Sequence, residues 1–212
     1  MVARSISEGT KGRIVDAALQ TLKEKGFTAT SARAIAASGG FNQALVFYHF
    51  GSVNDLLLAA LDRTSEQRMV RYKAAVDAVH TLPDLLRVAS EMYREDLDGD
   101  HVAVLAELIA GSSSAPELGP EIAARIDPWI RFTEEAVARV VAESSLSETL
   151  RSRDVAFGIV ALYVGVALLV RLGDERTGAE SLFEAGTSLA TLFGNLSNGK
   201  GSPVEEPSTS AQ

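Results

Sequence analysis

The sequence predicts an all-α fold with about nine helices, and three observations predict it. Apolar residues recur at helical spacing in nearly every segment, and no run shows strand alternation. Glycines and capping Ser, Asn and Asp residues punctuate those segments where helices would stop and start. Six prolines and 6% aromatics in 212 residues argue against a β-sandwich. The composition, 46% hydrophobic and 23% charged, is that of a globular chain long enough for one large domain or two small ones. No cysteine is present, which excludes a disulfide framework, a thiolate nucleophile and Cys-ligated zinc.

The first helix is expected over residues 10–25, with Ile14, Ala18 and Leu22 on one face. Gly26 supplies the left-handed position that ends it, and Phe27 packs back. A short helix over 31–38 carries Ala34, Ile35 and Ala36, and Gly39-Gly40 breaks it. Asn42 is a good N-cap for a third helix over 43–49, which Gly51 stops. Ser52-Val53-Asn54-Asp55 reads as a capping box that opens a long fourth helix through Leu56, Leu57, Ala60 and Leu61 towards Tyr72 and Val79. Further helices are expected over 83–95, 102–111, 117–144, 152–172 and 178–196, with Pro128 kinking or breaking the third of these. Residues 198–212 are rich in Gly, Ser, Pro and Glu and read as a disordered tail.

No apolar run opens the chain, so no signal peptide is expected. The most apolar stretch, 155–170, holds 16 uncharged residues between Asp154 and Arg171. That is short of the roughly 20 needed to span a bilayer. It reads as a helix buried on most sides, and the chain as cytoplasmic with no membrane partner. Charge is uneven: residues 1–73 hold 10 Lys/Arg against 6 Asp/Glu, and residues 74–212 hold 10 against 22. The halves thus carry +4 and −12, which recover the net −8. Repulsion of DNA by the acidic part is screened beyond roughly 10 Å in ordinary salt.

The informative stretch is Thr30 to Phe50: a short helix, a glycine turn and a second short helix, braced by the first helix. That arrangement is a helix-turn-helix, whose second helix fits a major groove about 12 Å wide. Gln43, Ala44, Phe47 and Tyr48 would face outward, and Leu45, Val46 and Phe50 inward. Gln43 can pair with adenine bidentately, while Ala44 offers a methyl-sized contact. Tyr48 and His49 can reach phosphates. Arg33 and Asn42 flank the turn, and Ser31 caps a helix whose amides attract a phosphate.

At Thr30-Ser31, Ile35-Ala36, Gly40 and Tyr48-His49-Phe50 the chain resembles the TetR family of bacterial transcriptional regulators. The resemblance is strong over about residues 10–60. It departs from the family pattern at Ala44, Phe47 and Val53, where the family has Gly, a phosphate-binding Tyr and Lys. Arg4, Lys11, Arg13 and Tyr48 are the candidates to compensate. The resemblance implies a repressor that binds double-stranded operator DNA as a homodimer, with recognition helices roughly 34–36 Å apart. It also implies a C-terminal domain whose small-molecule effector shifts the fourth helix. The expected division is 1–50 for DNA binding and 51–197 for effector binding and dimerisation.

Three further readings follow. Gly158, Ala161 and Gly165, with Leu182, Leu189 and Phe193, form the candidate dimer surface, to which Phe183, Ala185 and Leu192 add. Met92, Leu105, Leu108, Trp129, Phe132 and Tyr163 are the candidate pocket lining, with Glu107 and Arg131 placed to orient a largely apolar ligand. Asp96, Asp98, Asp100 and Glu107 mimic a calcium loop, but His101 stands where the sharp turn needs Gly. The acidic segment therefore reads as an inter-helix turn with Asp98 or Asp100 as a cap, and no metal is expected. His80 and His101, near helix ends, read as solvated. Neither they nor Ser112-Ser113-Ser114 resemble catalytic machinery, so no enzyme and no cofactor are expected. The competing classes are an enzyme and a helical ligand binder that does not touch DNA.

Overall fold

The computed structural model describes residues 2–97, 99–142, 151–173 and 176–198. These form nine helices: α1 Val2–Ala29, α2 Ala32–Gly39, α3 Ala44–Phe50, α4 Val53–Asp77, α5 Leu82–Leu97, α6 Asp100–Gly111, α7 Leu118–Val141, α8 Ser152–Gly173 and α9 Arg176–Asn198. No strand occurs among the described residues. Asp98, most of the expected tail, and residues 143–150 lie outside them.

Local chemistry sets the boundaries. Gly26 sits at φ 73°, and the chain makes one further turn to Ala29. Ser31 Oγ accepts the Ala34 N–H, and Gly40 closes α2 at φ 65°. Ser52 Oγ accepts the Asp55 N–H at 3.0 Å, which caps α4, and donates to the Asp55 carboxylate at 2.7 Å, a side-chain bond in place of the box's bond to the Ser52 amide. Three boundaries differ from expectation. α1 begins at Val2 rather than residue 10, over a segment with little apolar periodicity. α6 begins at Asp100, with Gly99 in the N-cap position. α7 runs unbroken through Pro128.

The interior is three apolar clusters rather than one. The first joins α1, α2 and the start of α4 to Val104 and Leu108 of α6 and Leu118 and Ile122 of α7. The second joins Val76, Val79, Leu85 and Val88 to Ala136 and Val137. The third gathers Tyr93, Val102, Ala167 and Val170.

α8 corrects the expectation of a helix buried on most sides. Only 17% of its apolar window is buried, although it is long and apolar enough to cross a membrane. Phe157 and Leu169 are each 61% exposed, and Leu162 is exposed beside them. Gly158, Ala161 and Leu162 continue that surface, and a Cβ added at Gly158 or Gly165 would meet nothing within 4 Å. Leu182 and Leu189 of α9 are exposed as well. The Phe193 and Leu192 side chains lie outside the described set.

Candidate nucleic-acid interface and effector cavity

α2 and α3 are held apart by a turn that only glycine can make. A Cβ on Gly39 would lie 2.2 Å from the Phe41 ring and 2.8 Å from Ala17 Cβ. The turn stands Asn42 at the head of α3, where its Oδ1 accepts the Ala44 N–H at 2.9 Å. Val46 is fully buried, and Leu45 and Phe50 pack on the first cluster. Gln43, Ala44, Phe47 and Tyr48 share the exposed side, with Tyr48 82% exposed. His49 is half-buried, edge-on to the rings of Tyr48 and Phe50. Arg33, Asn42 and Gln43 border one shallow depression beside the turn. Arg13 donates to the Gly39 carbonyl and so braces the turn. The Arg4 side chain lies outside the described set.

A cavity of about 140 Å³ lies where the three clusters meet. Met92, Leu105, Trp129, Phe132 and Tyr163 line it, as the sequence led one to expect. Leu108 does not; it is fully buried in the first cluster. Glu107 and Arg131 are not cavity residues either. The Glu107 carboxylate accepts the Phe27 N–H at 2.9 Å, on the far side of α6. Arg131 is exposed and paired with Asp127. The cavity follows α4 from Leu61 to Val76, roughly 22 Å of helix at 1.5 Å per residue.

Its polar residues come from elsewhere. Arg68, on the apolar stripe of α4, is buried and pairs with Asp96 of α5 through Nε, at 2.7 Å, and Nη2. Nη2 also donates to the Tyr163 hydroxyl at 3.0 Å, which in turn donates to Asp96. The guanidinium lies 4.7 Å above the Trp129 ring, whose Nε1 donates to Ser65 at 2.7 Å. The Tyr72 hydroxyl stands 3.1 Å from both Glu95 and Asp96. Burial pushes the Tyr72 and Tyr163 hydroxyls far above their ordinary range, and the nearby carboxylates add to it. Asp96, read from the sequence as part of an inter-helix turn, instead lies within α5 and is committed to a cation and two hydroxyls.

His101 is buried rather than solvated. Its Nδ1 lies 3.0 Å from Thr64 Oγ1, which donates to the Leu61 carbonyl at 3.0 Å. That pattern makes Nδ1–H the donor and leaves Nε2 an acceptor. Burial first, and the Arg68 charge second, lower its pKa to about 3. In the unfolded chain the ring titrates near 6.5. As pH falls below 6.5 the unfolded chain takes the proton first, so stability declines, by up to about 1.4 kcal/mol per pH unit towards pH 3. Urea unfolding at pH 7 and pH 5 measures this. His101→Gln should flatten the difference, and an unchanged difference in that variant refutes the assignment.

Comparison with known proteins places these features. Residues 14–60 match the family described as bacterial regulatory proteins, tetR family. The chain is 25% identical over 188 residues to the HTH-type transcriptional activator FasR of Mycolicibacterium smegmatis, covering 89% of this chain and 83% of that one. It is 35% identical over 102 residues to the HTH-type transcriptional repressor Rv3405c of Mycobacterium tuberculosis, covering 47% of this chain and about half, 53%, of the relative. The fold superposes on the transcriptional regulator FadR from Bacillus subtilis, solved in complex with stearoyl-CoA, with a TM-score of 0.72 at 18% identity, covering 84% of this chain and 96% of that one. A braced helix-turn-helix inside the matched segment makes residues 14–60 a tetR-family DNA-binding segment, and the helical body that follows is similar in fold to known transcriptional regulators over most of its length.

Proposed function

We propose that the protein is an effector-released repressor that binds a palindromic operator as a homodimer. Residues 1–50 form the DNA-binding part, and residues 51–197 form the effector and dimer part, with α4 as the connector. The observation that carries the reading is the exposed face that Gln43, at the N-cap position, shares with Ala44, Phe47 and Tyr48 of a short helix behind a glycine turn. Such a helix presents base-reading side chains to the major groove. The stripe on α8 and the exposed leucines of α9 suit a two-fold interface with a second copy, which supplies the second recognition helix that a palindrome requires. The long apolar cavity suits a largely apolar effector, and the FadR relative solved with stearoyl-CoA supports an elongated one. Repression follows the description of Rv3405c; FasR is described as an activator.

Selection of bound sequences from random duplex DNA tests the reading. A two-fold symmetric consensus is expected, and failure to select any sequence overturns the function. Gln43→Ala should lose about 1–3 kcal/mol of discrimination at one position in each half-site. Tyr48→Phe should weaken all sequences alike, because a phosphate contact carries no sequence information. An unchanged specificity profile in Gln43→Ala removes Gln43 from base reading. A reporter driven by the selected operator should fall when the protein is expressed; a rise overturns repression and leaves DNA binding intact.

A further inference from the structure

The apolar cavity has a polar wall, and there is open space behind that wall. Arg68 and His101 line the cavity, and both also line a second cleft of about 420 Å³. That cleft lies between α1, at Asp16, Gln20 and Lys23, and α4, at Arg63, Gln67 and Arg71. One layer of side chains therefore separates an apolar compartment from a polar one that touches the DNA-binding helices.

The layer has a donor in reserve. Arg68 uses Nε and Nη2 on Asp96 and Tyr163, whereas Nη1 makes no hydrogen bond among the described residues. The side chain is only 10% exposed, yet Nη1 is not among the described buried polar atoms left without a partner, so it borders open space where an oxygen acceptor can meet it. Charge in the cleft is balanced. Four cations, Lys23, Arg63, Arg68 and Arg71, face four carboxylates, two on α1 and two on α5. A polyanion gains no net attraction from such walls. Arg63 with Asp16, Arg68 with Asp96 and Arg71 with Glu95 already pair there, so a dipolar group gains by lying along the loosest pair, Arg71–Glu95 at 3.8 Å, with its anion towards Arg71 and Arg68 and its cation towards Glu95 and Glu24.

We propose that the α1–α4 cleft is a headgroup compartment: an amphipathic effector lays its chain in the inner cavity, offers an oxygen to Arg68 Nη1 at the partition, and rests a zwitterionic head against α1. This rests on the reading of the inner cavity as the effector site. An effector seated in this way touches both halves of the protein, so its affinity depends on how α1 stands relative to α4. That dependence is the differential binding that any ligand-driven shift requires.

Calorimetric titration with decylphosphocholine, decyl phosphate and 1-decanol, each below its micelle-forming concentration, tests the proposal. The zwitterion is expected to bind at least tenfold more tightly than the alcohol and more tightly than the phosphate. Gln20→Phe, which fills the cleft from α1, and Arg71→Glu each alter an exposed position and should remove that advantage while leaving decanol binding unchanged. Equal binding of zwitterion and alcohol, an advantage that survives both variants, or a tighter phosphate overturns the headgroup compartment and leaves the inner cavity as the effector site. No binding of any of the three overturns both.

Discussion

Asp96→Ala is expected to lower the unfolding free energy by about 3–5 kcal/mol, the cost of stranding one member of a buried ion pair. Arg68 is enclosed by Tyr72, Trp129 and Tyr163, and Asp96 is the only carboxylate that the guanidinium bonds among the described residues. Without it a buried charge has no counterion, and the Tyr72 and Tyr163 hydroxyls lose an acceptor. The pair itself need not stabilise the fold, since desolvation offsets much of its attraction. Arg68→Met combined with Asp96→Leu should therefore regain most of the loss. Urea melts of the two single variants and the double variant, at one protein concentration, give the coupling. A loss below about 1 kcal/mol for Asp96→Ala would mean that water reaches the pair and solvates it.

Leu162→Glu with Leu169→Glu should turn the proposed dimer into a monomer and weaken binding to the proposed operator by about 10²–10⁴-fold. Both side chains are exposed on the α8 stripe, so the monomer's packing loses nothing when they change. Two carboxylates per subunit, brought face to face across a two-fold axis, oppose association. A monomer covers one half-site and forfeits the linked second contact, which is worth a factor of that size. Sedimentation and operator titration should change together, with an unchanged circular dichroism spectrum. A variant that stays dimeric places the interface elsewhere.

Short-range signals in the sequence located most helix ends. Ser31, Gly40 and the Ser52–Asp55 cap act within four residues, and the structure uses each as its chemistry dictates. The upstream extension of α1 had no such signal. Five of six cavity residues were also legible as large apolar groups on separate helices. Leu108 was misplaced because it lies three residues from Leu105, and periodicity alone does not say which of the two meets a void. The polar wall was missed because its partners are remote in sequence: Asp96 is 28 residues from Arg68, and Tyr163 is 95. A local clue existed. Leu57, Leu61, Thr64, Arg68, Tyr72 and Val76 form one buried stripe at helical spacing, and a charge on such a stripe must find a counterion inside.

Helix α6 carries a consequence for redesigning the protein as a sensor. His101 and Leu105, one turn apart, border the cavity. Glu107 and Gly111, on the opposite side, grip the end of α1: Glu107 holds the Phe27 amide, and a Cβ on Gly111 would sit 2.4 Å from the Phe27 ring. A substitution at 101 or 105 that rolls this short helix by a few degrees also displaces the base on which operator reading stands. Phe132, Thr133 and Ala136 border the same cavity from α7, about three turns beyond Leu118 and Ile122, through which that helix joins the cluster at α1. Libraries meant to change what the protein senses while keeping where it binds belong on α7.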